Sequence, residues 1–281
     1  MSDCSIAKTA ITHPVFEIER DGDSFRVDVP AGWTQGRGAF GGLVVGWLAR
    51  AAERVEGDPH RLVRTLSAEI VGPVRQGPAT IHVSPLRVGN GISTYAARLV
   101  QAGQSEDETL AHAVVSLGRT RVTDREFAMT RAPAVPGPSD VELLPVQPPL
   151  GPEFAQHLAF RPVRGTPMSA PGAHADGGAA TVGYVRFKEL PPVVDTAYLA
   201  AIADAHWPAT LATEEALRPM ATLSFTLDIV TDPRVISPDE TFLVATRALA
   251  GHHGYVVEER HIYTSSGVLV ALNRQTFVII K

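Results

Sequence analysis

Cysteine and long apolar runs are the first things this sequence lacks. Its 281 residues include a single cysteine, Cys4, which excludes a disulfide framework and a thiolate metal site. No segment approaches the about eighteen apolar residues of a membrane span, and the first residues lack the basic-then-apolar pattern of a secretion signal. We therefore expect a cytoplasmic protein that does not cross a membrane.

The chain also has no basic block. Its net charge is -5, and charged residues make up 20% of the sequence without forming a run of one sign. Binding to nucleic acid calls for a basic face, so we expect no nucleic-acid partner. The length suits one large domain or two of about 140 residues, each able to bury a core.

Several catalytic motifs are missing as well. The sequence has no G-x-S-x-G elbow of a serine hydrolase, no glycine-rich phosphate loop between a strand and a helix, and no H-E-x-x-H zinc motif. His252 and His253 are adjacent, which is poor geometry for one metal ion. We expect neither a metal nor a cofactor.

A proline-rich segment stands near the middle of the chain. Residues 131–154, RAPAVPGPSDVELLPVQPPLGPEF, contain seven prolines. Proline removes a backbone donor and resists helix and sheet, so such a segment is typical of a connector. We predict an N-terminal domain over residues 1–125, a linker over 126–156 and a C-terminal domain over 157–281.

Both flanks of this linker show the same order of elements. The first flank has two short strands near 16–29, a helix near 41–55, and strands near 64–72, 79–89, 92–102 and 109–119. The second has two short strands, a helix near 195–207, and strands near 221–230, 240–250, 255–264 and 268–280. An α+β unit of this order buries its sheet against its one long helix. The sequence therefore predicts a double hotdog: two tandem hotdog units, each with an antiparallel sheet wrapped on one long helix.

Polar residues occur in the last strand on a face that should be buried. Alternation places Asn273 and Gln275 on the same side as Ala271 and Phe277. A buried amide that stays unpaired costs about 1–3 kcal/mol. Gln275 accordingly either bridges the two halves or belongs to a functional site.

Asp204 and Thr222 are two further candidates. Asp204 lies near a helix end and shares a face with small residues such as Ala201, so it is either solvated or turned into a seam between elements. Strict alternation would place Thr222 on the polar face of its strand with Ser224, opposite Phe225. That face is either exposed to solvent or part of a site.

Four motifs resemble those of a known family. They are GAFGGLVVG at 38–46, LRVGNGISTYAARLVQAGQ at 86–104, MATLSFTLDIV at 220–230 and SSGVLVALNRQ at 265–275. Over almost the whole length the chain resembles the double-hotdog acyl-CoA thioesterases of the thioesterase II type. In that family an Asp, a Thr and a Gln carry the chemistry, and they fall on Asp204, Thr222 and Gln275.

The same resemblance places Phe40, Gly41 and Gly42 at the family's helix opening, where we expect them to contact substrate. Free backbone N–H groups at a helix start favour negative charge, so the two glycines are candidates for an oxyanion site. The other interpretation is that glycines there allow tight packing against the sheet.

The resemblance implies an enzyme that hydrolyses an acyl-CoA thioester to CoA and a carboxylic acid. Asp204 would be the general base, and Thr222 and Gln275 would orient the attacking water. A non-catalytic acyl-CoA-binding protein is an alternative, because the family's Asp-His after the threonine is replaced here by Ser224 and Phe225. An enoyl-thioester hydratase of the same fold needs a histidine at the helix start, which is absent from residues 38–46. Exposed sheet edges predict a homodimer or higher homo-oligomer.

Overall fold

One antiparallel sheet of twelve strands runs through both halves of the chain. The computed structural model describes residues 12–102, 108–170 and 179–280, so Cys4 lies outside the described residues. The first half contains β1 (Glu19–Asp21), β2 (Ser24–Val29), β3 (Thr34–Gln35), β4 (Gly38–Ala39), α1 (Gly41–Glu56), β5 (Arg61–Ile70), β6 (Gly77–Val88), β7 (Ile92–Val100) and β8 (Ala111–Arg119). The second half contains β9 (Leu158–Arg164), β10 (Ala180–Phe187), α2 (Thr196–Ala205), β11 (Met220–Ile229), β12 (Phe242–His252), β13 (Tyr255–Tyr263) and β14 (Leu269–Ile279). The predicted pair of helices and the eight predicted long strands are confirmed to within a few residues at each end.

The strand order reads the same from both edges of the sheet. It is β1-β2-β6-β7-β8-β5 in the first half, continued by β11-β14-β13-β12-β10-β9 in the second. The halves join where β5 pairs with β11, with Leu66 opposite Leu227. The short strands β3 and β4 form a separate hairpin in front of α1. Each half thus repeats one arrangement, and β5 and β11 make the sheet continuous.

The two helices are capped in different ways. Helix α1 ends at Gly57, whose φ of 70° is left-handed and whose N–H donates to the Glu53 carbonyl at 3.0 Å. Helix α2 starts after Asp195, whose carboxylate accepts the Tyr198 N–H at 2.9 Å. The residue before α1 is Phe40, which has no side chain able to cap it. The N-terminus of α1 therefore depends on groups from elsewhere in the fold.

Helices α1 and α2 run antiparallel and touch through their backbones. A Cβ atom added to Gly42 would lie 2.7 Å from the Ala201 Cα, and one added to Gly46 would lie 3.0 Å from the Ala197 carbonyl oxygen. Larger side chains at these positions would force the helices apart. Residues four apart lie on the same face of a helix, so Gly42 and Gly46 on α1 face Ala201 and Ala197 on α2.

Residues 132–141 of the proline-rich segment lie against the outer face of the second-half sheet, the face away from the helices. The Tyr184 hydroxyl donates to the Pro136 carbonyl at 2.9 Å, and Leu144 forms a bridge with Phe160. Ala132 and other residues of the segment pack on a small apolar cluster there. The segment is therefore attached to one half along part of its length.

Neither α1 nor α2 is long and apolar enough to cross a membrane, and the same holds for the other helical turns within residues 12–102, 108–170 and 179–280.

We predict that Gly46→Ala destabilises the protein. The new Cβ would lie 2.8 Å from the Phe16 ring and 3.0 Å from the Ala197 carbonyl oxygen. Overpacking of this kind costs about 1–3 kcal/mol, which exceeds the gain of at most about 1 kcal/mol in helix propensity. Urea unfolding of the variant measures the difference. Gly91→Ala is the control, because its Cβ would meet only the end of the Arg121 side chain at 3.4 Å; equal stability of both variants would contradict direct helix contact.

Candidate active site

Asp204 lies in the last turn of α2, and its carboxylate faces the first turn of α1. A Cβ atom added to Gly41 would lie 2.8 Å from Asp204 Oδ2, and one added to Gly42 would lie 2.9 Å from Asp204 Cβ. The residue is only 9% exposed. Near the C-terminus of its own helix a negative charge is disfavoured, but at the N-terminus of α1 it is stabilised by the helix dipole and free N–H groups. Of the two interpretations that the sequence left open, the structure supports the one in which Asp204 is turned into a seam between elements.

Opposing effects act on the Asp204 carboxyl. Burial raises its pKa above the ordinary value, and the Glu258 carboxylate adds to that rise. The Arg260 cation, a hydrogen bond from Gln275 and a hydrogen bond from the Gly42 N–H lower the pKa. A carboxylate that is desolvated and still held by donors suits the acceptance of a proton.

Gln275 is fully buried on the helix-facing side of β14. Its Nε2 donates to Asn273 Oδ1 at 3.0 Å, and Asn273 Nδ2 donates to the Thr226 carbonyl at 2.6 Å. This chain of amides fixes the Gln275 side chain to the backbone of β11. With Nε2 turned to Asn273 and Asp204, Gln275 Oε1 has no hydrogen-bond partner within the part of the chain that the structure describes. A donor such as a water would satisfy it.

Thr222 lies on a different face of β11 from the one that strict alternation predicts. A β-bulge between Thr222 and Ser224 makes Leu223 an extra residue, and Thr222 pairs with Phe277 while Phe225 pairs with Gln275. Directly opposed residues share a face, so the bulge turns Thr222 to the same side as Gln275 and Phe225. The predicted polar row is wrong at this point, because one inserted residue reverses the alternation upstream of it. The Thr222 hydroxyl thus belongs to the helix-facing side of the sheet.

The three residues at the opening of α1 have distinct surroundings. The Phe40 ring is fully buried and stacks on Phe154 with ring centres 3.8 Å apart. The Gly42 N–H is engaged with Asp204, as described above. The Gly41 N–H is the first of the helix and has no partner within its own helix. Of the two glycine donors predicted for an oxyanion, Gly41 is therefore the better candidate.

Sequence reasoning missed a buried ion pair beside Asp204. Arg260 and Glu258 lie two residues apart on the helix-facing side of β13, with side chains 1% and 0% exposed, and Arg260 Nη2 is 2.6 Å from Glu258 Oε1. Arg260 Nη1 also donates to the Ala203 carbonyl at 2.7 Å, and Glu258 Oε2 accepts the Ala209 N–H at 2.9 Å. The sequence does contain a signal for this pair, because opposite charges at positions i and i+2 of a strand lie on the same face and can pair.

His206 is a second buried group near Asp204. Burial and the nearby Arg260 cation lower its pKa to about 3. Its Nδ1 lies 3.3 Å from the Thr181 hydroxyl oxygen. A histidine this weakly basic is a poorer proton acceptor than Asp204, whose pKa lies above the ordinary value.

The first half carries an apolar counterpart of this site. β5 has a bulge between Val63 and Thr65 that matches the one in β11, with the same pattern of partners in β8. The residue just before the bulge is Thr222 in β11 and Val63 in β5, so these two positions are equivalent. Phe225 pairs with Gln275 and the equivalent Leu66 pairs with Val115, so Gln275 is equivalent to Val115. In the same way Arg260 corresponds to Ala97, which pairs with Ala113. The polar groups are therefore concentrated in the second half and meet the first half at the start of α1.

The site is closed in this structure. Two cavities, of about 510 and 330 Å³, are lined by other residues, including Trp33 in one and Arg164 in the other. A substrate reaches Asp204 and Gln275 only if neighbouring side chains move, because both residues are at least nine-tenths buried. Within the described ranges, no three His, Cys, Asp or Glu side chains come together in a way that could hold a metal ion.

Models of known protein families match both halves of the chain. A model of the acyl-CoA thioesterase N-terminal domain matches residues 29–118, and one of the acyl-CoA thioesterase C-terminal domain matches residues 136–279. The chain belongs to the acyl-CoA thioesterase family. It is accordingly a thioester hydrolase, and the sequence resemblance is confirmed. A search of curated proteins found no match.

Solved structures agree with this acyl-CoA thioesterase at the level of the fold. A hotdog-fold protein of unknown function from Alicyclobacillus acidocaldarius is 24% identical with a TM-score of 0.81, covering 96% of this chain and 99% of the other. A putative thioesterase II from Thermobifida fusca is 20% identical with a TM-score of 0.78, covering 95% and 96%. The acyl-CoA thioesterase II TesB2 from Mycobacterium marinum is 20% identical with a TM-score of 0.73, covering 95% and 96%. These similarities show that the thioesterase has a hotdog fold.

We predict that Asp204→Asn makes the thioesterase more stable at neutral pH. Burial raises the folded-state pKa of Asp204 above its unfolded value, so the charged form costs stability as pH rises through the folded pKa. Below the ordinary aspartate pKa of about 3.9 the carboxyl is protonated in both states and the cost vanishes. Thermal unfolding across pH should show a gain that disappears in acid.

Asp195→Asn provides the matched control for this gain. Its carboxylate lies 3.1 Å from Arg50, with both side chains 10% exposed, so removal of its charge leaves a buried cation unpaired and should lower the melting temperature. A fall in stability for Asp204→Asn at neutral pH would show that the carboxylate is a structural group.

Proposed function

We propose that this protein hydrolyses an acyl-CoA by direct attack of a water held between Asp204, Gln275 and Thr222. The observation that carries the proposal is the meeting of Asp204 and Gln275 at the N-terminus of α1, with Gln275 Oε1 buried and unpartnered among the described residues. A buried oxygen without a partner lowers the stability of the fold, which is typical of a functional site. Gln275 Oε1 can accept a hydrogen bond from one proton of a bound water. Asp204 offers the second acceptor.

In the proposed mechanism the water donates one hydrogen bond to Asp204 and one to Gln275 Oε1. The Thr222 hydroxyl donates to the water oxygen and directs its lone pair at the thioester carbonyl. Asp204 takes a proton as the carbon–oxygen bond forms, and the developing oxyanion is stabilised by the Gly41 N–H and the α1 dipole. Collapse expels the CoA thiolate, which recovers the proton from Asp204. The products are CoA and a carboxylic acid.

This route does not require a nucleophilic side chain. A thioester carbonyl is already electrophilic, so an oriented water and a stabilised oxyanion suffice without an acyl-enzyme. The acyl chain would lie between α1 and the sheet, next to the Phe40 ring, once neighbouring side chains move aside. His206 is too weakly basic to replace Asp204 as the base.

The finer organisation of the fold is also part of the proposal. We propose that residues 1–125 and 157–281 are two hotdog units, each wrapped on its own long helix, joined by a linker over 126–156. The mirrored strand order supports this division. We further propose a cytoplasmic homodimer or higher homo-oligomer formed through the outer edges of the sheet, where all three residues of β1 are exposed. Light scattering that gives the mass of one chain would refute the oligomer.

We predict that Gln275→Ala lowers kcat by about tenfold to a thousandfold, as expected for lost positioning of the reacting water. Release of free thiol from short, medium, long and aromatic acyl-CoAs measures the rate and identifies the preferred acyl group. Gln275→Glu keeps the shape and tests whether the amide, which donates to Asn273, is required. A folded wild-type protein that hydrolyses no acyl-CoA would favour an acyl-CoA-binding protein.

We predict that Thr222→Val lowers kcat at least about tenfold while leaving the fold intact, because only the hydroxyl is lost. Thr226→Val is the matched control on the same strand. Its hydroxyl lies on the exposed side, 3.4 Å from the Arg274 carbonyl, and its loss should leave kcat unchanged. Equal rates for both variants and the wild type would remove Thr222 from the mechanism.

A further inference from the structure

The segment that carries Asp204 is held on both sides by one buried ion pair. Arg260 Nη1 donates to the Ala203 carbonyl, the residue before Asp204, at 2.7 Å. Glu258 Oε2 accepts the Ala209 N–H, just beyond the end of α2, at 2.9 Å. Two charged hydrogen bonds, at 2.6 and 2.8 Å, join Arg260 to Glu258 Oε1. The pair therefore fixes the chain before and after Asp204 to β13.

The Ala203 carbonyl has no partner within the helix. It is one of the last four carbonyls of α2, and the chain turns to an extended conformation at His206. A cation at this end also opposes the helix dipole, which otherwise disfavours the Asp204 carboxylate. Arg260 thus supplies both the missing donor and the compensating charge.

The ion pair is also costly to bury. Removing two charges from water is repaid only when their geometry is good and their other hydrogen-bonding groups are satisfied. The first-half counterparts on the sheet are Tyr95, which pairs with Val115, and Ala97; both are uncharged, and the Tyr95 hydroxyl donates to Glu56 at 2.8 Å. An ion pair carried by the strand itself therefore occurs in the half that contains Asp204.

Resting on the function proposed above, we propose that Glu258 and Arg260 are positioning residues that together hold the backbone on both sides of Asp204 and set the charge balance around its carboxylate. Among the residues that the structure describes, the charged groups that act on Asp204 are these two on β13. The first turn of α1, which faces the carboxylate, carries no acidic residue. His206, at the end of α2, is neutral at physiological pH. Arg260 favours the carboxylate and Glu258 opposes it, so the two act on Asp204 in opposite directions.

The test is the pH dependence of kcat/KM for the purified full-length protein, using the acyl-CoA it hydrolyses fastest. Arg260→Met should move the acid limb, which reports ionisation of Asp204, to higher pH and lower kcat at least about tenfold. Glu258→Gln should move the same limb to lower pH. The double variant removes both charges, so its acid limb should lie near that of the wild type while kcat stays low, because Ala203 has lost its donor.

Arg50→Met is the matched control. Arg50 lies 3.1 Å from Asp195 in a second ion pair at the opposite end of the helices, with side chains 10% exposed. Its loss should lower the melting temperature and leave the acid limb unmoved. Should Arg260→Met fail to fold, Glu258→Gln and the double variant still give the predicted order. An acid limb that is the same in all folded variants would overturn the inference while the proposed function stands.

A second readout needs no turnover. The ¹³C shift of the Asp204 carboxyl, followed against pH in protein labelled at aspartate, should titrate at higher pH in Arg260→Met and at lower pH in Glu258→Gln. This order in a protein that hydrolyses no acyl-CoA would overturn the proposed function and retain the electrostatic action of the pair. No change in the titration of Asp204 in either variant would overturn the inference.

Discussion

The close contact between α1 and α2 is the constraint on which the rest of the structure depends. Gly42 and Gly46 leave room for Ala201 and Ala197, so the two helix backbones meet without intervening side chains. This distance brings Asp204, in the last turn of one helix, to the first turn of the other. Helices separated by larger side chains would leave the carboxylate away from the N–H groups that stabilise it. The site thus depends on packing between the two halves.

The antiparallel pair of helices has two chemically different ends. At one end Asp195 caps its own helix, accepts a hydrogen bond from Thr12 at 2.6 Å and pairs with Arg50. At the other end Phe40 cannot cap α1, and the carboxylate comes from Asp204 across the interface. At the first end the Asp195 carboxylate is held by hydrogen bonds and an ion pair. The second leaves a desolvated carboxylate and an unpartnered amide oxygen, a cost that is typical of functional sites.

Local patterns predicted most of the elements and some of the site. Apolar periodicity identified both helices and the long strands, because burial of one face imposes it on the sequence. Alternation along β14 correctly placed Gln275 on the buried face. The same rule failed for Thr222, since a bulge adds one residue and reverses the faces, and nothing in the local sequence marks Leu223 as the extra residue. Arg260 was missed because the faces of β13 were not assigned from its alternation, in which Glu258 and Arg260 share a side with Val256 and Ile262.

The sequence by itself determined the order of elements, the duplication, the family and the residue types available for chemistry, since these follow from local periodicity and from motifs of fixed spacing. Only the tertiary structure decided which of those residues meet. Asp204 and Gly42 are far apart in the chain and come together through helix packing, and Glu258 and Arg260 gain their positions from pairing between strands. Contacts of this kind depend on backbone separation and strand register, which are set by the whole core and are not encoded in any single segment.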